Sequence, residues 1–366
     1  MKIHTIFFLS EFVLGGAGNS IYKLCKNLPK KNYQISIICL NKCYYKKLFK
    51  KEGIDVYEIN ATRALFAFFK IKKLLSKLIS KNYKSNIFLS NINYSNVLTI
   101  LFLRSLKLKI CLIERTPFQE LNIYYSKVDF FKKNIIKFLI RFTFHKADAC
   151  ISNSEYISRI YNRKYNLKFK TIFPPSFDSL SVNKKKKLKN SRIKFVTVCR
   201  LSKEKGLPKL IKIFSKYKKE FYLDIIGDGP ELQNLKKLAF KTHKNKNVRF
   251  LGTINPFKIK FYLRKYDYYI NFSDFEGFPN TVIESLSVGV PVLASQSYGG
   301  INEILPNKNF GLIFNNVNLL KKYLKDIYKK RLIFKFNRSK IMNHLNNFSL
   351  KKNVENYDRF LKKLSK

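Results

Sequence analysis

Tryptophan is missing from these 366 residues, methionine occurs twice, histidine four times, and acidic residues number only 23 against 73 lysines and arginines. Each scarcity closes off a class of protein. His4, His145, His243 and His344 are dispersed, so no metal cluster is legible. The six cysteines, Cys25, Cys39, Cys43, Cys111, Cys150 and Cys199, form no C-x-x-C pair, and several sit inside apolar runs. They read as buried thiols of a reducing, cytoplasmic compartment rather than as bridges or ligands. No run of 18 apolar residues exists, so no transmembrane helix is expected. The apolar N-terminus resembles a signal peptide superficially, but its core is short and Glu11 interrupts it, so it reads as a buried first strand. There is no internal repeat and no long low-complexity segment.

What is present is a large apolar fraction, 46%, and a formal net charge of +50. The apolar content argues against disorder, and the length allows two domains with full cores. The charge has several readings: nucleic acid, an anionic membrane face, a polyanionic substrate, or the lysine-, asparagine-, isoleucine- and phenylalanine-rich coding of an AT-rich genome. Basic residues are spread along the whole chain without a recognisable reader motif, which favours composition over a nucleic-acid footprint. A surface this basic is still drawn to anionic lipid. Two stretches, residues 63–75 and 130–141, are aromatic and apolar on one side and lysine-rich on the other. That pattern fits a helix lying on an anionic membrane, and equally a core-facing helix with a solvated basic face.

Strand-like and helix-like segments alternate. Residues 3–10, 34–40, 54–59, 86–90, 109–113 and 147–153 read as strands of a first half, with helical patterns between them, including Tyr44 to Lys51, Ala64 to Ile79 and Asn96 to Leu106. Segments 193–199, 222–226, 247–252, 268–272 and 289–295 are the strands of a second half. Such alternation predicts doubly wound parallel sheets, which bind ligands beyond the carboxyl ends of their strands. The expected domains are 1–175, 176–336 and a terminal pair of helices over 337–366, with the lysine run Lys184–Lys189 as an exposed linker.

Three loops at strand ends carry chemistry. Gly15-Gly16-Ala17-Gly18 joins the first strand to a helix and lets a ligand approach the backbone. Arg200 and Lys205, five residues apart after the strand 193–199, can converge on one polyphosphate. In Asp274-Phe275-Glu276-Gly277-Phe278-Pro279-Asn280-Thr281-Val282-Ile283-Glu284, two carboxylates bracket a turn that leads into a helix, whose unpaired first N–H groups form an anion site. A diphosphate on that helix, with hydroxyls on the two carboxylates, describes a nucleotide sugar. Arg115, at the end of the strand 109–113, is a further candidate.

The 276–284 stretch resembles the E-x7-E signature of the family 4 retaining glycosyltransferases. The segments R-L-S-K-E-K-G (200–206), I-I-G-D-G-P-E (225–231) and G-V-P-V-L-A-S (289–295) resemble that family in the same order. The resemblance is strong from about Val196 to Leu312 and covers most of the chain. It implies the GT-B fold: α/β, two Rossmann-like doubly wound parallel-sheet domains facing a central cleft, the last helix crossing back to the first domain. It implies a metal-independent hexosyltransferase (EC 2.4) with no cofactor, moving a hexose or N-acetylhexosamine from a UDP- or GDP-sugar with retention. The acceptor implied is a glycan or polyprenyl-diphosphate-linked saccharide of bacterial surface polysaccharide synthesis, met at the inner face of the cytoplasmic membrane. Arg200, Lys205 and Glu276 take the catalytic roles by resemblance. Gly16, Gly277, Phe278, Pro279, Asn280, Thr281 and Glu284 join them in holding donor, and Gly15, Gly18 and Arg115 face the acceptor. Many relatives carry a histidine where this chain has Glu114-Arg115-Thr116, leaving either a backbone carbonyl in that role or a different loop in that place. A nucleotide-sugar 2-epimerase on the same fold is the alternative, followed by a basic nucleic-acid-binding protein.

Overall fold

Six consecutive buried residues, Ile3-His4-Thr5-Ile6-Phe7-Phe8, form the first strand, β1. A strand buried on both faces has no polar alternation to show, which is why parallel sheets read as continuous apolar runs. Alternate side chains still part company: Ile3 and Phe7 enter one core, Ile6 and Phe8 another on the opposite face of the sheet. Burying each such phenylalanine contributes about 1.5–3 kcal/mol. His4 is satisfied rather than functional. Its ring nitrogens meet Ser36 Oγ at 2.9 Å and Asn86 Oδ1 at 3.3 Å on the two neighbouring strands, and burial lowers its pKa.

The computed structural model describes residues 1–13, 15–61, 64–79, 82–180, 192–217, 219–243, 247–330 and 337–366. The lysine run Lys184–Lys189 and Arg63 lie outside the described residues. The chain divides into two compact units, Met1–Pro175 with Leu350–Lys366, and Ser176–Ser349.

In the first unit, β1 is joined by β2 (Tyr33–Cys39), β3 (Asp55–Glu58), β4 (Ser85–Asn91), β5 (Lys109–Glu114), β6 (Ala149–Ser152) and β7 (Phe169–Thr171). All neighbours are parallel, in the order β3-β2-β1-β4-β5-β6-β7. The helices Gly16–Asn27 and Leu350–Leu364 cover one face. The helices Ala64–Leu78, Asn93–Leu103 and Lys127–Thr143 cover the other.

The second unit repeats the plan with β8 (Ile193–Val198), β9 (Phe221–Ile226), β10 (Val248–Gly252), β11 (Tyr268–Asn271), β12 (Phe275–Glu276), β13 (Val292–Ser295), β14 (Tyr298–Gly299) and β15 (Leu312–Phe314). Six of these form a parallel sheet in the order β10-β9-β8-β11-β13-β15, while β12 and β14 pair separately. Both large sheets reverse winding direction once, between β1 and β4 and between β8 and β11.

The expected terminal segment 337–366 does not act as one piece. The helix Arg338–Leu345 belongs to the second unit, beside the helix Asn280–Ser287, whereas Leu350–Leu364 buries Val354, Tyr357 and Leu361 in the core of the first. Periodicity marks an apolar face in both helices but not which core that face meets. The helix expected from Asn96 begins instead at Asn93, because Ile92 turns the chain sharply with φ 78 and ψ 140.

Candidate functional site

The second unit builds its site at the winding reversal. Lys205 lies in the loop after β8, and Glu276 in the short strand that follows β11. Their side chains meet at 2.6 Å, and both are largely shielded, 12% and 18% exposed. Burial works against the charge on Lys205, but the Glu276 carboxylate, with Cys199 and Glu204 behind it, overcomes that and raises the ammonium pKa. Ser273, buried, donates to the same Glu276 oxygen at 2.9 Å, and the Ser273 carbonyl accepts from Ser295 at 2.6 Å. Asn271, at the end of β11, is buried with an unpartnered Nδ2, as is the Ser297 hydroxyl. Asn271 reaches the ion pair through Ser273, whose hydroxyl lies 3.0 Å from Asn271 Oδ1, and buried polar groups left unpartnered are retained only at a cost.

The loops holding this pair are pressed together backbone on backbone. Leu201 N donates to Asp228 O at 2.9 Å, Glu231 N to Leu201 O at 2.9 Å, and Asp274 N to Glu204 O at 2.8 Å. R-L-S-K-E-K-G is therefore wedged between I-G-D-G-P-E and the strand leading to Glu276. Gly227 has φ +136, and a Cβ there would sit 1.9 Å from Cys199 O. Gly299 has φ +119, and a Cβ would sit 1.5 Å from Glu276 O. Only glycine fits either position. The Gly299 contact fixes the backbone of Glu276 itself, since β12 and β14 pair there.

Arg200 projects into solvent five residues from Lys205. The helix Asn280–Ser287 starts directly after Pro279 with no side-chain cap and no acidic residue in its first turn. Asn280 is occupied elsewhere, its Oδ1 accepting from Ser176 at 2.6 Å. Thr281 shares a 2.7 Å hydrogen bond with Tyr269. Glu284 is buried, in the second turn of the helix. Phe278 does not offer its ring to a ligand: it is buried against Phe348, with centroids 5.2 Å apart. The carbonyl of Gly277 before it accepts from Gly300 N at 3.1 Å.

Gly15, Gly16, Gly18 and Arg115 form a separate group in the first unit. Gly16 opens its helix, and Gly15 before it is extended, with nothing within 4 Å of a Cβ. Gly18 is needed for packing, since a Cβ would meet Val13 O at 2.8 Å. Arg115 Nε donates to Asn91 Oδ1 at 2.7 Å, and Asn91 Nδ2 donates to Phe8 O at 2.8 Å, so Asn91 ties the ends of β1 and β5. Burial pulls the Arg115 pKa below its ordinary value, opposed by Tyr357. Nearby Thr116 Oγ1, Gln119 Oε1 and Asn153 Oδ1 are buried without partners. Glu114 is fully buried. Asn96 donates to it at 2.6 Å, and the Asn93 side-chain amide, its nitrogen assigned to the carboxyl side from the hydrogen-bonding pattern, lies 3.1 Å from both oxygens. Burial raises its pKa well above the usual carboxylate range.

Sequence reasoning missed Ser273, Asn271, Asn91 and Asn153. All four lie at or just beyond the carboxyl end of a parallel strand, and that position was the available signal. The six cysteines are free thiols, five of them buried. Among the described residues no three His, Cys, Asp or Glu side chains gather as a metal-holding group.

Comparison with known proteins agrees with this geometry. Residues 14–175 match the family described as Glycosyltransferase Family 4, and residues 180–356 match Glycosyl transferases group 1. The chain is 24% identical over 325 residues to an alpha-monoglucosyldiacylglycerol synthase of Streptococcus pneumoniae, spanning 82% of this chain and 72% of the relative. It is 29% identical over 198 residues to a Campylobacter jejuni 4-alpha-N-acetylgalactosaminyltransferase named for a diphospho-undecaprenol-linked saccharide, spanning 52% of this chain and 53% of the relative. The structure of Anabaena HepE with UDP-glucose superposes with a TM-score of 0.78 at 15% identity, covering 98% of this chain and 99% of that one. The chain belongs to the family 4, group 1 glycosyltransferases and is a transferase with the GT-B fold.

Proposed function

We propose that the protein transfers a hexose or N-acetylhexosamine, with retention and without a metal, from a UDP- or GDP-sugar to a glycan or lipid-linked saccharide acceptor in bacterial surface polysaccharide synthesis. The observation that carries the reading is the shielded Lys205–Glu276 ion pair at the winding reversal, with Arg200 on the same loop. A diphosphate and a sugar divide such a pair between them. The ammonium takes the phosphate oxygens, and the carboxylate accepts from sugar hydroxyls. Arg200 and the uncapped helix start at Asn280-Thr281 add positive potential where charge grows on the leaving diphosphate. Fixed donors of this kind contribute about 2.7–4 kcal/mol each when measured by deletion at oxyanion sites. Glu284 is assigned to the ribose. In the first unit, Arg115 and the unpartnered oxygens of Thr116, Gln119 and Asn153 suit an acceptor rich in hydroxyls. The named activities of the Streptococcus and Campylobacter relatives, on a diacylglycerol and an undecaprenol diphosphate, support a lipid-borne acceptor met at the cytoplasmic face of the membrane.

The test is a melting screen with UDP, GDP, ADP, UDP-GlcNAc and GDP-mannose, with and without a chelator, on the parent and Glu284→Ala. A ligand at 100 times its dissociation constant stabilises by about 2.7 kcal/mol. One nucleotide class should raise the melting temperature, insensitively to chelator, and the variant should lose the effect. No response to any nucleotide would overturn the reading. Donor isomerised in the absence of any acceptor would replace transfer with epimerisation.

A further inference from the structure

The helix Lys127–Thr143 has two apolar faces. Ile136, Ile140 and Thr143 are buried and seat it on the first unit. A second stripe, Val128, Phe131, Ile135, Phe138 and Phe142, repeats at steps of three, four, three and four residues and is between 53% and 76% exposed. At 3.6 residues per turn these five side chains share one side of the helix. Amphipathicity serving only the core would leave that side polar. On the same face of the sheet, the helix Ala64–Leu78 behaves similarly: it buries Phe68 and Ile71 while exposing Phe66 and Phe69 beside Lys70 and Lys73. Exposed aromatic residues concentrated on one unit's helices mark a contact surface.

The charge around the stripe says what covers it. Lys132 flanks it on one side, and Lys127 and Arg141 on the other, all three exposed. A second copy of a chain carrying +50 would bring these cations against their own equivalents. An anionic bilayer meets them with opposite charge and takes the phenylalanines at its headgroup–acyl boundary. No described helix is long and apolar enough to cross a membrane, which leaves a helix lying on one. We propose that the Val128–Phe142 stripe is an interfacial docking surface for anionic lipid, with Phe131 and Phe138 inserted and Lys127, Lys132 and Arg141 at the headgroups.

The missing tryptophan makes a clean reporter possible. Phe138→Trp, at an exposed site, places the sole indole of the chain on the stripe, and Phe261→Trp, exposed in the second unit, is the control. With phosphatidylglycerol-containing vesicles, emission from the stripe indole should shift to the blue and resist a soluble quencher, while phosphatidylcholine vesicles and the control indole show neither effect. Phe131→Gln with Phe138→Gln should weaken vesicle partitioning by about ten-fold or more. Lys127→Gln and Lys132→Gln should each weaken it roughly five-fold and reduce its salt dependence. Three results would overturn the proposal: vesicle binding with the stripe indole's emission unchanged, a blue shift that grows with protein concentration and needs no vesicles, or a shift with duplex DNA and none with lipid. The double variant should keep the parent's nucleotide-induced melting shift, so failure of docking and failure of the donor site read separately.

Discussion

The two units share an alternation and a sheet order, yet they build their strand-end loops by different means. In the second, backbone presses on backbone: Gly227 against Cys199 and Gly299 against Glu276 leave no room for a side chain. In the first, apart from the close approach of Gly18 to Val13 O, side chains hold the loops: Asn91 bridges Phe8 and Arg115, and Asn96 and Asn93 hold Glu114. Gly15 there is extended with open space around it. Backbone contact dictates residue identity at fixed positions and so writes motifs. Side-chain bridging can be met by many residue pairs, and it leaves little trace in a single sequence.

Substitutions in each unit should separate the two designs. The largest effect is expected from Gly299→Ala, which forces a Cβ onto Glu276 O at a positive φ. It should destabilise the second unit by about 3 kcal/mol or more and abolish nucleotide binding, read by denaturant unfolding and calorimetry. A near-neutral result would mean that the loops yield and the contrast between units is false. Next, Lys205→Ala should lower turnover by about 10²–10³-fold, with partial recovery in Lys205→Arg, and steady-state kinetics on donor and acceptor would check it. Unchanged turnover would remove the ion pair from the mechanism.

Glu114 gives a pH-dependent contrast. Its folded pKa lies above its unfolded value, so the folded state holds the proton more tightly. Its contribution to stability is present below the unfolded pKa, near the ordinary carboxylate range, and is lost as pH rises through the folded one. The slope approaches ~1.4 kcal/mol per pH unit between the two values. Glu114→Gln should unfold like the parent in acid and be the more stable protein at alkaline pH. Identical curves across the range would show that the carboxyl ionises freely. The smallest effect is expected at Gly15→Ala, where stability should change by less than about 0.5 kcal/mol while substrate KM responds to the new methyl group. A large loss of stability there would make the first unit's loop as tightly built as the second's.

The same contrast governs what a single sequence discloses. The alternation of strands and helices is legible because each helix carries a 3.6-residue apolar period and each buried strand a continuous run. Lys205 and Glu276 are legible as site residues through their motifs, but not as partners: 71 positions separate them, and only the sheet order brings them together. The strands Phe275–Glu276 and Leu312–Phe314 are too short to leave a pattern. Ser273 is inconspicuous because a serine between a strand and a turn is ordinary in sequence; its hydrogen bond to Glu276 is not. Phe278 reads as a donor contact with its neighbours, whereas its ring is core, since an aromatic residue in a turn carries no mark of the side to which it points.

The chain's path also shapes how the protein is made. The first unit takes its sheet from the first 175 residues and part of its core from the helix Leu350–Leu364. A ribosome releases that helix only after the whole of the second unit. Until the later helix emerges, the apolar face that receives Val354, Tyr357 and Leu361 stays open, while the second unit, contiguous from Ser176 to Ser349, already has all its strands. The nascent N-terminal unit therefore waits as an incomplete fold for the length of nearly half the protein. An apolar face open for that interval is a surface prone to aggregation.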